Sequence, residues 1–267
     1  MRFHASRFPR AMLVGLGLLA LAGPRLLAGD TVVKATPAEL ASEKADRARL
    51  EKAIAADPKN LILRTQLGET LCDLGAFGDE SAADAAVKLL QTLHKEAPKD
   101  VVILADCGNA CTIYAQYASI FSQLGWVHDG FNQMDAAVKA ASDNVAIRIV
   151  RALNSSQVPA FLDREKLARE DFAWLLARIQ SHPKDFTADQ LRTIYYYDGN
   201  FALSHNEATA IQLFTLAAAV PPPAGDILAP KIADALKAAH AKFPAAANPA
   251  PSPAAPATSH PSVAKNP

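Results

Sequence analysis

The chain has 267 residues, half of them hydrophobic, with 27 basic and 27 acidic side chains. That balance excludes the basic excess expected of a nucleic-acid binder. Only 12 glycines and 7% aromatics argue against an all-β sandwich or barrel, and three cysteines are too few for a disulfide-built scaffold.

Residues 1–10 carry Arg2, Arg7 and Arg10 and no acid, and residues 11–22 form an apolar run too short for a comfortable permanent span. Gly23 and Pro24 then break the pattern before a small-residue exit at Ala28-Gly29. A basic start, a short apolar stretch and a small-residue exit predict a secretory signal peptide over residues 1–28, with Ala22 as a second cleavage point. The expected protein is therefore exported, to a periplasm or outside the cell, and touches a membrane only if this segment is retained. Losing four arginines and no acids leaves the mature chain mildly acidic.

From residue 36 to residue 243 the spacing is helical nearly throughout. Thr36-Pro37-Ala38-Glu39 reads as a helix cap followed by proline in the first turn. Asp57-Pro58-Lys59-Asn60 returns as Ala97-Pro98-Lys99-Asp100 and again as His182-Pro183-Lys184-Asp185, with a weaker echo at Ser142-Asp143-Asn144. At the same offset Leu67-Gly68 and Leu71 become Cys107-Gly108 and Cys111. Each pair of markers is followed by a second helical stretch, such as Ser81–Glu96 with Ala86, Leu90 and Leu93. Two independent markers sharing one offset indicate an internal repeat. A third unit starts near Asn144 and runs to Pro183, with Arg148, Arg151 and Ala152 where its helices should cross. A fourth holds Tyr195-Tyr196-Tyr197, and residues 226–243 supply a closing helix.

This unit resembles the tetratricopeptide repeat, in which two antiparallel helices cross at a small residue and a proline ends the second. Leu67, Gly68, Leu71, Ala86, Leu90 and Pro98 occupy the packing positions of that pattern. The offset here is 40 residues rather than about 34, which residues 76–82 explain as a longer inter-helix turn. The resemblance implies an all-α, right-handed solenoid of about four antiparallel hairpins plus a closing helix. It also implies a concave face that grips a protein or extended peptide. The inward positions would be Thr65, Glu69 and Asp73 in the first unit, then Ala105, Asn109, Thr112 and Ile113 in the second. Peptide-carboxylate binders of the family use Lys and Asn there, and Asn109 alone matches, so that specific activity is not expected.

Residues 244–267 are rich in Pro and Ala with almost no large apolar side chain, the composition of a disordered tail.

No nucleophile elbow, phosphate-binding glycine loop or metal-ligand spacing is present, so the sequence nominates no catalytic residue, no cofactor and no metal. A non-enzymatic interaction or scaffolding module is the expectation. A structural subunit of an envelope complex and an α-helical hydrolase are the alternatives. His128 and His205 sit beside acids and read as exposed turn residues. Cys107 and Cys111 admit two readings, small core residues in the positions of Leu67 and Leu71 or partners in a disulfide, and Cys72, one repeat earlier, is a possible partner for either. Trp126 and Trp174 read as core anchors. Arg148, Arg151 and Arg164, with Glu165, read as a surface salt-bridge stripe or the wall of a polar pocket.

Overall fold

The computed structural model describes residues 35–222, 226 and 228–244, so the expected signal peptide and nearly all of the expected tail lie outside the described residues. The protein is all-α: ten α-helices, two short 3-10 turns and no strand among the described residues.

Helix α1 (Pro37–Ala56) opens with the expected cap: Thr36 accepts from the Glu39 amide while the Glu39 carboxylate accepts from that of Thr36. Four hairpins follow, α2 (Leu61–Ala76) with α3 (Glu80–Glu96), α4 (Val101–Tyr114) with α5 (Ile120–Ala140), α6 (Val145–Ser156) with α7 (Glu165–Ser181), and α8 (Ala188–Ser204) with α9 (Thr209–Ala219). Helix α10 (Leu228–Lys242) packs against α9 and α8.

The repeated polar markers set these boundaries. Asn60, Asp100 and Asn144 are the N-caps of α2, α4 and α6, each side chain accepting from the amides of the first turn. The third Pro-Lys-Asp departs from this role. It forms a 3-10 turn at Pro183–Asp185, and Thr187 with Gln190 caps α8 instead. The first inter-helix turn is also shorter than expected, since α2 runs to Ala76 and α3 begins at Glu80, leaving only Phe77, Gly78 and Asp79. The longer offset is taken up in helix length, not in the turn.

Small residues bring the helices of a hairpin together. A Cβ on Gly68 would meet the Leu90 side chain at 2.6 Å. At the equivalent α4–α5 crossing both partners are glycine, and a Cβ on Gly108 would fall 2.5 Å from the carbonyl oxygen of Gly130. Backbone packs on backbone there, which no larger residue permits.

Successive first helices also pack on one another, α2 on α4, α4 on α6 and α6 on α8. Consequently α4 is buried on almost every side, from Ala105 through Ile113. The ends of the row meet as well: Lys231 on α10 donates to the buried Glu39 carboxylate on α1 at 2.7 Å. Trp126 lies half-buried between the two largest apolar clusters, as an anchor should.

Candidate functional site

The residues expected to line a concave groove are mostly sealed. Thr65 is half-buried, but Glu69, Asp73, Asn109 and Thr112 are all buried, as are Ala105 and Ile113. The polar groups of Asn109 and Thr112 are used inside the protein. The Thr112 hydroxyl donates to Asn154 Oδ1 at 2.7 Å, and Asn154 Nδ2 donates to Asn109 Oδ1 at 3.2 Å, a buried ladder joining α4 to α6. This corrects the expectation of an open peptide groove at these positions, because adjacent first helices pack through the very face that would have to be exposed.

The cysteines follow the core reading. Cys72, Cys107 and Cys111 are free and buried. Burial pushes the Cys107 thiol up to about 12 and the Cys111 thiol up to about 11, with Asp106 adding to the first. Such thiols are protonated and poor nucleophiles at neutral pH. Beside them Asp106 is buried between α2 and α4, and its Oδ2 has no hydrogen-bond partner among the described residues. Burial first, and Asp100 second, raise its carboxyl to about 7.

The arginine group is neither a stripe nor an open pocket. Arg148 and Arg151 both donate to Asp171, which is fully buried, at 2.6 and 2.7 Å. Arg151 and Arg164 both donate to Asp135, at 3.1 and 2.8 Å. Burial pulls the Asp135 carboxyl up, but Arg164 and Arg151 outweigh it and hold it below the ordinary range. The third positive charge is spread over aromatic faces, Arg148 lying 4.8 Å from the Trp174 ring and Arg164 4.2 Å from the Phe131 ring. Glu165 is not a member. It pairs with Arg169 at 3.1 Å and His205 at 3.4 Å. His128, expected in a turn, is exposed within α5, whereas His205 does end a helix. Of the three tyrosines, Tyr197 is buried and Tyr195 and Tyr196 are half-buried, as three consecutive helical residues must diverge.

Two surface features were not singled out by sequence reasoning. The first is an apolar patch on the opening turn of α5, where Phe121 is 96% exposed and Ile120 and Leu124 are also exposed. Phe161, in the connection of the next hairpin, is exposed too. No Lys, Arg, Asp or Glu occurs between Asp106 and Asp129, a signal that marks this stretch in the sequence.

The second is a cleft of about 430 Å³ where α7 and α9 diverge over α8, walled by Phe172, Leu176, Phe201, Leu213 and Leu216. Asp198 lines it and is 8% exposed. Burial raises its carboxyl to about 6, with Glu207 adding and Arg169 opposing. A Cβ on neighbouring Gly199 would meet the Phe214 ring at 2.6 Å, so this glycine lets α9 pack closely on α8.

Among the described residues no helix is long and apolar enough to cross a membrane, and no group of His, Cys, Asp and Glu is placed to hold a metal ion. Compared with protein-family models, with curated proteins and with solved structures, the chain has no match.

Proposed function

We propose that this protein is an exported, non-catalytic interaction module, built as a right-handed solenoid of tetratricopeptide-like hairpins, that binds another protein. The row of antiparallel hairpins and their small-residue crossings support the repeat reading, and residues 1–28 support export. One observation carries the binding surface: Ile120, Phe121 and Leu124 form a single exposed apolar turn in an uncharged stretch. Spacings of three and four residues place them on one helix face. A soluble protein rarely leaves such residues clustered in water unless another surface covers them. The partner surface is apolar and carries no strong charge, since the patch offers no ion to pair.

A photo-crosslinking residue at position 121, in the full chain in its native host, tests this. A discrete protein adduct, lost on Leu124→Ser and absent when the crosslinker stands at the well-exposed Lys166, is the expected outcome. No adduct at position 121, the same adducts at both positions, or vesicle binding that Leu124→Ser abolishes overturns the proposal.

A further inference from the structure

The cleft between α7 and α9 shares no lining residue with the apolar turn on α5. We infer that it is a site for a small organic ammonium compound with an apolar body, held by the Asp198 carboxylate at its floor and by the aromatic and aliphatic walls around it.

The charge arithmetic of the cleft points to a cation. Asp198 makes no hydrogen bond and no ion pair with any described residue, although it is buried and faces the cleft. Its oxygens are not sealed in the core but open onto the cleft, and a ligand that displaces water from them must pair with the charge, because desolvating it is otherwise costly. The nearest cation is already committed. Arg169 donates to Glu207 at 2.7 Å and to Glu165 at 3.1 Å, with its guanidinium 5.0 Å from the Phe201 ring. Two carboxylates thus neutralise the one arginine at the rim, and the Asp198 charge is the uncompensated one. The groups facing it are Arg169 from α7, Glu207 from the α8–α9 connection and Tyr195 on its own helix.

The walls decide the rest of the ligand. Of the walls, Phe172, Phe201 and Leu213 are buried, while Leu176 and Leu216 are more open to solvent. An inorganic cation gains nothing from such a lining, and the cleft offers it one carboxylate where hard cations need several oxygens. An ammonium group on an aryl or alkyl body satisfies both halves: a charge-assisted hydrogen bond to Asp198 and burial of its carbon atoms. Binding of a cation also holds Asp198 ionised, so affinity declines once the carboxyl is protonated, below its raised value of about 6.

Isothermal titration of the full chain with three probes that share a phenylethyl body tests the site: 2-phenylethylamine, its isostere 2-phenylethanol, and 3-phenylpropionate. At neutral pH the amine binds roughly 10- to 100-fold more tightly than the alcohol, and the carboxylate binds most weakly. Asp198→Asn removes that preference while the circular dichroism spectrum is unchanged. The wild-type amine affinity falls as pH drops below about 6, whereas that of the alcohol does not. Equal affinity for amine and alcohol overturns the assignment, as does a preference that survives in Asp198→Asn. A flat pH profile overturns it even where the variant fails to fold. A short lysine-containing peptide that binds more tightly than the free amine overturns the small-molecule assignment.

Discussion

Glu39 on the first helix and Lys231 on the last are joined by a 2.7 Å ion pair across 192 residues of chain. The two ends of the helical row therefore touch, and the pair is sheltered, with Glu39 at 2% exposure. Burial alone would raise the Glu39 carboxyl. Lys231 and the Thr36 amide outweigh burial and hold it below the ordinary value. This closure and the close packing of α2, α4, α6 and α8 act together to shut the face that a peptide would need.

Lys231→Met should lower stability by roughly 2 kcal/mol, since it strands a buried carboxylate that loses a charge-assisted hydrogen bond. Glu39→Gln costs less, and the double variant falls short of the sum, because the second substitution has no partner left to remove. Urea unfolding of the four proteins reads this coupling directly. Additive losses would show that the ends do not meet in solution.

The α4–α5 crossing gives opposite outcomes for one kind of substitution. Gly108→Ala places a methyl 2.5 Å from the Gly130 carbonyl oxygen, and backbone cannot swing aside as a side chain can. The loss should be about 2–3 kcal/mol, at the upper end for overpacking. Gly125→Ala lies in α5 with open space around its Cβ, so improved helix propensity should stabilise by about 0.5–1 kcal/mol. Thermal melts of the two variants should move in opposite directions. Similar shifts would mean that the crossing is looser than its geometry.

Asp171 holds two arginines at zero exposure, so Asp171→Asn leaves Arg151 buried with only the more distant Asp135 for compensation. A loss of about 3–5 kcal/mol is expected. Glu207→Gln breaks an ion pair of similar length that is open to water, and should change stability by less than about 1 kcal/mol. Denaturant midpoints of the two variants make the comparison. Equal losses would mean that burial does not govern these pairs.

Helix boundaries were legible because Thr36, Asn60, Asp100 and Asn144 are local signals acting on the next turn of chain. Cys107 and Cys111 were legible as core residues because they repeat the positions of Leu67 and Leu71. The groove residues were misplaced for a physical reason. Periodicity identifies the face on which Glu69, Asp73 and Asn109 lie, but not that α2, α4 and α6 pack on one another through it, with Asn154 of α6 laid against Asn109. The network around Arg148, Arg151 and Arg164 was seen only by its cations. One of its acids is marked by its place in the sequence: Asp171 lies on the apolar stripe of Ala168, Phe172, Leu175 and Ile179. Asp198 shares a stripe with Ile194, Tyr197, Phe201 and Ala202, and Asp106 shares one with Ile103, Cys107 and Ala110. A carboxylate on the buried stripe of a helix is the pattern that links the network, the cleft and the α2–α4 contact.

The last of these carboxylates sets a pH dependence. The Asp106 carboxyl is raised by burial to about 7 in the folded protein and returns to its ordinary value when the chain unfolds. Between those two values the native state holds a proton that the unfolded state has released. Stability contributed by this group is therefore complete below the unfolded value and is lost as pH rises to about 7, after which the loss is constant. Asp106→Asn keeps the shape and removes the titration. The variant should be more stable than the parent at pH 8, and the gap should narrow steadily towards pH 4. Urea titrations across that range decide the matter. A gap that is unchanged with pH would show that Asp106 is solvated or paired in the folded protein, and a variant less stable at pH 8 would show that its charge is favourable there.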